Sequence, residues 1–273
     1  MKSPPPLAIT IAGSDCSAGA GAQADLKTFQ HFAVHGLTVF TCIVAETADE
    51  VSAVRVLPVE WMIEQAQLLL ENFHITAIKT GMLCSAEHVM AVAKLLDQSP
   101  QVKCVVDPVM VASCGARLLA DDALSAYQNF LLPRAFLITP NLPEAEVLLG
   151  EKISNIDALK LAALSLSNRY GTAVLLKGGH LEGDACVDCL AHDGTLQEWS
   201  AARIDVAASH GTGCTLSAAI TAGLAHGQDL PAAIGAAKQY LGQCLIESYG
   251  FQQSSGQLGH YLNQGTTWAR GIS

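Results

Sequence analysis

Short apolar segments alternate with helix-like segments along almost the whole chain, and this alternation constrains the fold more than any other feature. Apolar runs without regular polar alternation are typical of strands that are buried on both faces, as in parallel sheets covered by helices. The predicted strands are residues 7–12, 38–44, 77–79, 104–106, 135–138 and 173–176. The predicted helices are residues 21–33, 62–73, 87–96, 122–132, 154–170, 213–225 and 231–247. We therefore expect an α/β fold of three layers, with a mostly parallel central sheet flanked by helices.

One pair of segments interrupts this parallel pattern. Residues 186–190 and 196–199 flank His192-Asp193-Gly194, a sequence typical of a tight hairpin turn. We therefore expect a small antiparallel hairpin beside the parallel strands. The chain contains no linker, repeat or low-complexity segment, so residues 1–273 are predicted to form a single domain. The polar segment from about residue 251 is expected to be loosely attached.

Charge and composition argue against several classes of partner. The chain has 15 Lys and Arg residues against 25 Asp and Glu residues, and its net charge is −10. With its basic residues scattered, it is not expected to bind nucleic acid or an anionic membrane. The sequence shows neither an export signal nor an apolar stretch of about 18 residues, so a cytoplasmic protein is expected. The nine irregularly spaced cysteines are expected to be reduced thiols.

Polar residues and glycines cluster directly after the predicted strands. In open sheets of this kind, ligands bind at the carboxyl ends of the strands. These residues are therefore expected to form the rim of one active site. They are Gly13, Ser14, Asp15, Glu46, Gly81, Met82, Asp107, Asn141, Glu144, Lys177 and residues 210–214.

A glycine-rich segment, His210-Gly211-Thr212-Gly213-Cys214-Thr215, precedes a predicted Ala-rich helix. Glycines let the backbone approach an anion closely, and a helix start supplies N–H groups and a positive dipole end. Such a donor group can stabilise the charge of a phosphoryl group in transfer. Cys214 would lie in the first helical turn, where the pKa of a thiol tends to fall, and could accept a proton from a substrate hydroxyl. On its shape alone, the segment fits an ordinary glycine-rich loop that caps a helix at least as well.

A second glycine-rich segment lies between the first predicted strand and the first predicted helix. It contains a G-x-G-x-x-A string, superficially like a dinucleotide-binding fingerprint. The fingerprint requires an immediate turn from strand to helix, whereas about eight residues intervene here by the predicted boundaries. A turn that encloses a substrate is therefore favoured. Asp25, one turn into the helix, could be a helix cap or could hold a substrate hydroxyl.

Three further strand-end groups suit a polyanion and its metal. Asn141 and Glu144 lie three residues apart at a predicted helix start, where one turn brings them to one face and allows a grip on Mg²⁺ through water. The alternative is plain helix capping by Asn141. Lys177 could reach a phosphate. Asp107 ends a buried apolar strand, where an unpaired carboxylate would be costly.

Taken together and in this order, the motifs resemble the hydroxymethylpyrimidine/phosphomethylpyrimidine kinases of the ribokinase-like superfamily, and the closely similar bacterial pyridoxal kinases. The matching segments are residues 10–27, 79–83, 105–111, 138–145, 176–180 and 210–218, and they run over nearly the whole chain. The resemblance implies a ribokinase-like fold, transfer of a phosphoryl group from ATP with Mg²⁺ to a small heterocyclic alcohol, and a homodimer.

The resemblance also implies a role for each candidate residue. Cys214 would lie beside the attacking hydroxyl, with Gly211, Thr212 and Gly213 forming the anion hole. Lys177, Asn141 and Thr212 would bind ATP, while Asp107 and Glu144 would organise Mg²⁺, mainly through water. The residues expected around the heterocycle are Gly13, Asp25, Val44, Glu46, Met82 and Val109.

One departure from the family leaves the substrate open. The pyrimidine kinases usually carry Ala-Gln-Asn-Thr where this chain has Ala45-Glu46-Thr47-Ala48. An amide can donate to a ring nitrogen, whereas an ionised Glu46 can only accept. Either Glu46 or the ring is then protonated, or the substrate is a vitamin B6 compound rather than the pyrimidine of thiamine biosynthesis. Two other classes remain as hypotheses: a non-catalytic ligand-binding protein and a nicotinamide-dependent oxidoreductase.

Overall fold

Strands and helices alternate in the structure as the apolar pattern predicts. The computed structural model describes residues 3–110, 121–179, 181, 183–205, 210–252 and 258–265. The strands are β1 (Leu7–Asp15), β2 (His35–Glu46), β3 (Val51–Val56), β4 (Ala77–Thr80), β5 (Lys103–Val106), β6 (Leu137–Ile138), β7 (Ala173–Leu176), β8 (Ala185–His192), β9 (Thr195–Ala202), β10 (Tyr249–Gln252) and β11 (Leu258–Tyr261). The helices are α1 (Gly21–His31), α2 (Val59–Asn72), α3 (Ala86–Gln98), α4 (Asp121–Ala126), α5 (Leu142–Leu149), α6 (Ile156–Tyr170), α7 (Thr212–Ala225) and α8 (Leu230–Ile246). Helix α4 continues into a π turn (Tyr127–Leu131) and a 3₁₀ turn (Leu132–Arg134).

The main sheet is mostly parallel. Its strand order in the described part of the chain is β3-β2-β1-β4-β5-β6-β7-β8-β9. The six strands from β2 to β7 in this order pair in parallel, whereas β3, β8 and β9 pair antiparallel to their neighbours. The chain extends from β1 first to one side and then to the other, so the connections diverge there, which is where open α/β sheets bind ligands. The predicted mostly parallel sheet between helices is confirmed.

Each buried strand contributes to the core on both faces of the sheet. Ile78 and Cys104 pack with α2, α3, α5 and α6 on one face. Their neighbours Ala77 and Val105 pack with α7 and α8 on the other, because successive strand residues point to opposite sides. Helix α1 joins the second face through Phe29, which packs against Ala218 and Ala222 of α7. Within the described ranges, none of the helices has the length and hydropathy needed for a membrane span.

The predicted hairpin is present, and its turn lies at the predicted residues. Strands β8 and β9 pair from Ala185↔Ala202 to His192↔Thr195. Asp193 and Gly194 make the turn with φ of 49° and 72°, the left-handed conformation that two-residue hairpin turns require. Strand β3, which pairs antiparallel with β2, was not predicted, because its short sequence mixes apolar and polar residues.

The expectation of a loosely attached tail from residue 251 is wrong for the part that the structure describes. Strands β10 and β11 form a second, two-stranded sheet. Beyond it Leu262, Asn263 and Gln264 are buried. The Gln264 amide donates to the Gly19 carbonyl (3.2 Å) and to the Thr215 hydroxyl (2.8 Å). Polar side chains hold this segment, so its composition gave no sign of burial. Residues 253–257 and 266–273 lie outside the described ranges.

Two predicted boundaries shift for local reasons. Strand β1 runs on to Asp15 rather than ending at residue 12, because β2 continues to pair with it across an irregularity near Gly13. Helix α6 is capped by Asn155, whose side chain accepts from the Ala158 amide at 2.8 Å, and therefore begins after Asn155 rather than at Ser154.

Candidate active site

The strand-end residues meet in one cavity of about 610 Å³. Glu46 ends β2, Gly81 follows β4, Asp107 follows β5, and Lys177 follows β7. The start of α7, a helix on the face of the sheet that also carries α8, lines the cavity as well. A smaller cavity of about 380 Å³ among the helices is lined by Gln128, Asn129, Pro133, Arg169 and Tyr170. It contains none of the candidate residues, so the larger cavity is the candidate active site.

The middle of the cavity holds three charged groups, Asp107, Glu144 and Lys177, which we call the polar centre. The Lys177 ammonium donates to Asp107 Oδ1 at 3.2 Å. Asp107 is only 2% exposed, and its other oxygen accepts from the Ser217 hydroxyl at 3.2 Å. Burial opposes the charge of Lys177, but the attraction of Asp107 and Glu144 raises the pKa of Lys177 above its ordinary value. This lysine is therefore a fixed cation between two acidic groups.

Asn141 and Glu144 form a reciprocal capping box at the start of α5. The Glu144 carboxylate accepts from the Asn141 amide, and the Asn141 side chain accepts from the Glu144 amide, both at 2.9 Å. The capping alternative from the sequence is therefore correct, yet both residues also line the cavity. Burial raises the pKa of Glu144 to about 7, although Lys177 opposes the shift.

Helix α7 points its N-terminus into the cavity. Its cap, Gly211, has φ of +80°, and a Cβ there would lie 2.0 Å from the Gly19 carbonyl. A Cβ on Gly213 would lie 3.3 Å from Asp107 Oδ2 and 3.4 Å from Lys177 Nζ. The two glycines therefore let the helix start approach both the loop after β1 and the polar centre. First-turn amides have no acceptor within their own helix, so they can receive an anion.

Cys214 follows in the first turn of α7 and lines the cavity. The sequence predicts a lowered thiol pKa here, and this prediction is wrong. Burial raises the pKa of Cys214 to about 11, although Lys79 opposes the shift. The carboxylates of Asp25 and Asp107 add to the increase. Loss of solvent around the thiolate therefore outweighs the favourable helix start.

Lys79 and Asp25 form an ion pair beneath Cys214. The Lys79 ammonium donates to both Asp25 oxygens, at 2.8 and 3.0 Å, and neither side chain is exposed. The Thr10 hydroxyl also donates to Asp25, at 2.6 Å. Burial works against the charge of Lys79, but the attraction of Asp25 raises the pKa of Lys79 well above its ordinary value. The Lys79 ammonium in the cavity wall therefore stays protonated, with its charge compensated by Asp25.

One end of the cavity is mainly apolar, and we call it the acceptor lobe. Its wall is formed by Gly13, Val44, Glu46, Met82 and Val109. Val44 and Met82 belong to one small apolar cluster, against which Val109 packs. Burial, followed by repulsion from Asp15, raises the pKa of Glu46 to about 7. Glu46 is thus the acidic residue of an otherwise uncharged lobe.

A contact between Asp15 and His210 connects the end of β1 to the start of α7. Asp15 accepts from the backbone amides of Ser17, Gly19 and Ala20, and His210 Nε2 lies 3.0 Å from Asp15 Oδ2. Burial alone would raise the pKa of Asp15, but these hydrogen bonds lower it to about 2. The carboxylate is therefore ionised, and His210 Nε2 carries the proton.

The contact between Asp15 and His210 bears on two other possible ligands, a metal ion and a dinucleotide. Donor atoms of Asp15, Glu46 and His210 lie within 4.8 Å of one another, close enough to share a cation. However, the Asp15 oxygens are occupied by four hydrogen-bond donors, so we do not assign a metal there. The amides of residues 17, 19 and 20 are likewise used by Asp15. They are not available for the pyrophosphate of a dinucleotide, which argues against the oxidoreductase hypothesis.

The opposite end of the cavity is lined by β9, α8 and the segment after β7. Lys238 donates to Asp188 Oδ2 at 2.7 Å, and the Gly178 amide donates to Asp188 Oδ1 at 3.0 Å. Arg203 donates to the carbonyls of Gly179, Leu181 and Gly183 and so ties the segment after β7 to the end of β9. We call this end the distal lobe; Leu241 and Leu245 complete its wall.

Residues 15–259 match the family model described as phosphomethylpyrimidine kinase. The chain belongs to this family. A hydroxymethylpyrimidine/phosphomethylpyrimidine kinase of Streptomyces coelicolor is 42% identical over 257 residues, which cover 94% of each protein.

Solved structures include members from both substrate branches. A phosphomethylpyrimidine kinase from Clostridium difficile has a TM-score of 0.77 and 37% identity, and covers 86% of this chain and 97% of its own. Pyridoxal kinase from Staphylococcus aureus, in complex with AMP-PCP and pyridoxal, has a TM-score of 0.85 and 34% identity, and covers 96% and 94%. The fold is therefore that of the ribokinase-like kinases of this family.

Every residue to which the resemblance assigns a role, except Asp25, lies in the cavity wall, whereas Ser14 and Asp15 of the expected rim do not line it. The assigned residues in the wall are Gly13, Val44, Glu46, Met82, Asp107, Val109, Asn141, Glu144, Lys177, Gly211, Thr212, Gly213 and Cys214. Asp25 lies behind the wall, fully buried against Lys79. It is not a helix cap either, because the cap of α1 is Ala20. A direct contact between Asp25 and a ligand is therefore not supported, and its partner Lys79 faces the cavity instead.

Several cavity residues were not predicted from the sequence. Lys79 stood inside a predicted strand, although it belongs to a segment that resembles the family. Lys238 lies in an Ala-rich helix, and Asp188 in a hairpin strand. Asp188 lies close enough to Lys177 to help raise its pKa, and Lys238 pairs with Asp188. These are tertiary contacts, and no local pattern in the sequence marks them.

Proposed function

We propose that this protein transfers the γ-phosphoryl group of ATP to the hydroxymethyl group of 4-amino-5-hydroxymethyl-2-methylpyrimidine in thiamine biosynthesis, and then phosphorylates the resulting monophosphate. One observation carries the proposal. The start of α7, the polar centre and the acceptor lobe share a single cavity. A phosphoryl donor and a small heterocyclic alcohol can therefore meet at the Gly211–Cys214 segment.

ATP would occupy the distal lobe and direct its phosphates toward the polar centre. Lys177, Asn141 and Thr212 would hold the phosphates, and the first-turn amides of α7 would receive the γ-phosphoryl group. Such positioning and charge stabilisation make up most of the catalysis in phosphoryl transfer. The proposal explains why Gly213 approaches Asp107 and Lys177 so closely.

The polar centre also fits Mg²⁺ held through water. Magnesium prefers oxygen ligands and retains several waters. One Glu144 oxygen already accepts from Asn141, and Asp107 accepts from Lys177 and Ser217. These carboxylates are therefore better placed to bind the water ligands of the ion than to replace all of them. When bound, Mg²⁺ would neutralise phosphate charge.

The first transfer requires a route for one proton. The acceptor oxygen forms a bond to the γ-phosphorus, the bond from that phosphorus to the bridging oxygen breaks, and ADP leaves. The hydroxyl proton passes to the Cys214 thiolate. Because burial raises the pKa of this thiol to about 11, only a small fraction of the free enzyme carries the thiolate at pH 7. Lys79, held in charge by Asp25, stabilises it. A phosphate acceptor in the second transfer has no such proton to lose.

Pyridoxal is the second candidate acceptor. Glu46 favours it, because a carboxylate suits a protonated pyridine nitrogen better than a neutral ring nitrogen. The similar structures from S. aureus include a pyridoxal kinase. Both acceptors use the same donor chemistry, so the choice concerns only the acceptor lobe.

A coupled ADP-release assay with the two alcohols tests the proposal. We expect turnover of the aminopyrimidine alcohol above that of pyridoxal, and higher aminopyrimidine turnover in Glu46→Gln at pH 8. Strong pyridoxal turnover without any gain in the variant would reject the pyrimidine assignment. Binding of either alcohol without ADP release would show a non-catalytic ligand-binding protein.

We also propose a cytoplasmic homodimer, as the resemblance implies. Exposed apolar side chains on neighbouring elements support an interface: Val56 on β3, and Trp61 and Leu68 on α2. Light scattering coupled to size-exclusion chromatography should give about twice the mass of the 28.6 kDa chain. A monomeric mass at micromolar concentration would contradict the dimer.

A further inference from the structure

The carboxyl group of Glu46 has no protein partner among the residues described. Its backbone is held, since its amide donates to Cys16 Sγ at 3.4 Å and its carbonyl accepts from the same thiol at 3.2 Å. Its carboxyl oxygens accept no hydrogen bond from the described chain. The side chain lines the acceptor lobe with Val44, Met82 and Val109. A carboxyl group beside an apolar wall and without a partner is suited to a ligand donor.

The described surroundings of Glu46 explain why its carboxyl group has no partner among them. The titratable groups that face it are Asp15 on β1, Cys16 after that strand, His210 before α7, and Cys42 on β2 itself. Asp15 Oδ2 already accepts the hydrogen bond of His210 Nε2. The remaining influence of Asp15 on Glu46 is repulsive, and together with burial it raises the pKa of Glu46 to about 7. The lobe thus offers one carboxyl group that is easily protonated near neutral pH.

A heterocyclic nitrogen cannot approach an ionised carboxylate with its lone pair, because both groups are acceptors. One proton between them turns this repulsion into a charge-assisted hydrogen bond. We propose that Glu46 selects acceptors that carry a basic ring nitrogen, by sharing one proton with that nitrogen when the ring enters the acceptor lobe. This inference rests on the proposed kinase function and specifies its substrate class. It applies to the aminopyrimidine and to a pyridine alike.

Proton uptake follows from the sharing. Above pH 7 both partners are largely unprotonated before binding, so the complex must take one proton from solvent. Affinity for the acceptor should therefore fall about ten-fold for each pH unit above 7. An acceptor that held the lobe through apolar contacts alone would show no such dependence.

Isothermal titration calorimetry on the full chain tests this directly. The probe is 4-amino-5-hydroxymethyl-2-methylpyrimidine, titrated at pH 8 in two buffers of different ionisation enthalpy. We expect uptake of close to one proton by the wild type and none by Glu46→Gln, whose affinity should vary little between pH 7 and 9. Glu50→Gln, an exposed glutamate beyond the end of β2, is the matched control and should behave as the wild type.

Each outcome decides the matter. Binding by the wild type without proton uptake overturns the role of Glu46, even if ADP release shows that the kinase function holds. Uptake that persists in Glu46→Gln also overturns it. If the pyrimidine does not bind, 3-hydroxymethylpyridine, whose ring nitrogen is also unprotonated at pH 8, is titrated in its place with the same expectation, and failure of both overturns the inference. Uptake without ADP release would instead count against the proposed kinase function.

Discussion

The polar centre and the acceptor lobe differ in whether their buried charged groups have partners within the chain. In the polar centre, Lys177 lies between Asp107 and Glu144. Next to it, near Cys214, the ammonium of Lys79 is paired with Asp25. In the acceptor lobe, Glu46 faces apolar side chains and the carboxylate of Asp15. The first region compensates its charges internally, whereas the second leaves one carboxyl group for a ligand.

This difference separates chemistry from specificity. Phosphoryl transfer requires the same cations and amides for any alcohol, and those groups are fixed by partners within the chain. Recognition of one heterocycle requires a group whose hydrogen bond is completed only by the ligand. Removal of a charge from the compensated region should therefore be harmful to the fold, and removal of the charge of Glu46 should be favourable.

Lys79→Met should have the largest effect. It leaves Asp25 fully buried without its cation, and breaking such a pair costs about 3–5 kcal/mol. We expect the free energy of unfolding in urea to fall by this amount at pH 7.5. Adding Asp25→Asn should restore part of the loss, because the uncompensated charge is then gone. A double variant less stable than Lys79→Met would contradict this explanation.

Lys177→Met should have an intermediate effect on the fold and a larger one on ATP. Lys177 is 14% exposed, so its loss should lower the free energy of unfolding by about 2 kcal/mol. The KM for ATP should rise at least ten-fold, because a phosphate partner is removed. Lys160→Met, which breaks an ion pair with Glu198 outside the cavity, is the control. An equal effect of the two variants on the KM would remove Lys177 from the ATP site.

Glu46→Gln should have the smallest effect and the opposite sign. The pKa of Glu46 is about 7 in the fold, above its ordinary value of 4.5. Its contribution to stability is therefore fully present below about pH 4.5 and is lost as the pH rises through 7. Because the side chain is partly exposed, we expect the variant to gain only about 1 kcal/mol at pH 8, and nothing at pH 4.5. A loss of stability at pH 8 would show that Glu46 is compensated after all.

The sequence was sufficient for the sheet and for most of the cavity wall. Apolar strands buried on both faces leave a strong pattern, and the residues after them must share one edge of a parallel sheet. The positions of Glu46, Asp107 and Lys177 at the active-site rim could therefore be predicted from the sequence. The start of α7 was marked by Gly211 and Gly213 for the same reason, since close backbone approach requires glycine.

The missed features depend on tertiary contacts that no local pattern encodes. Lys79 and Asp25 are far apart in sequence, and only the packing of α1 on the sheet buries them together. The pKa of Cys214 was misjudged because the helix start is visible in the sequence, whereas the burial that outweighs it is not. Gln264 fills a polar role against Gly19 and Thr215, so the last described segment looked like an unattached tail.

The most direct test of the central claim compares Cys214→Ala with the wild type on both acceptors, the alcohol and its monophosphate. If Cys214 takes the hydroxyl proton, kcat for the alcohol should fall by about 10²–10⁴-fold. In the wild type, kcat for the alcohol should rise between pH 7 and 9 as the thiolate becomes more abundant, and this rise should be absent from the variant. The kcat for the monophosphate should fall much less. The melting temperature and the Kd of the alcohol should stay close to those of the wild type. Near-normal alcohol turnover in this variant would contradict the account.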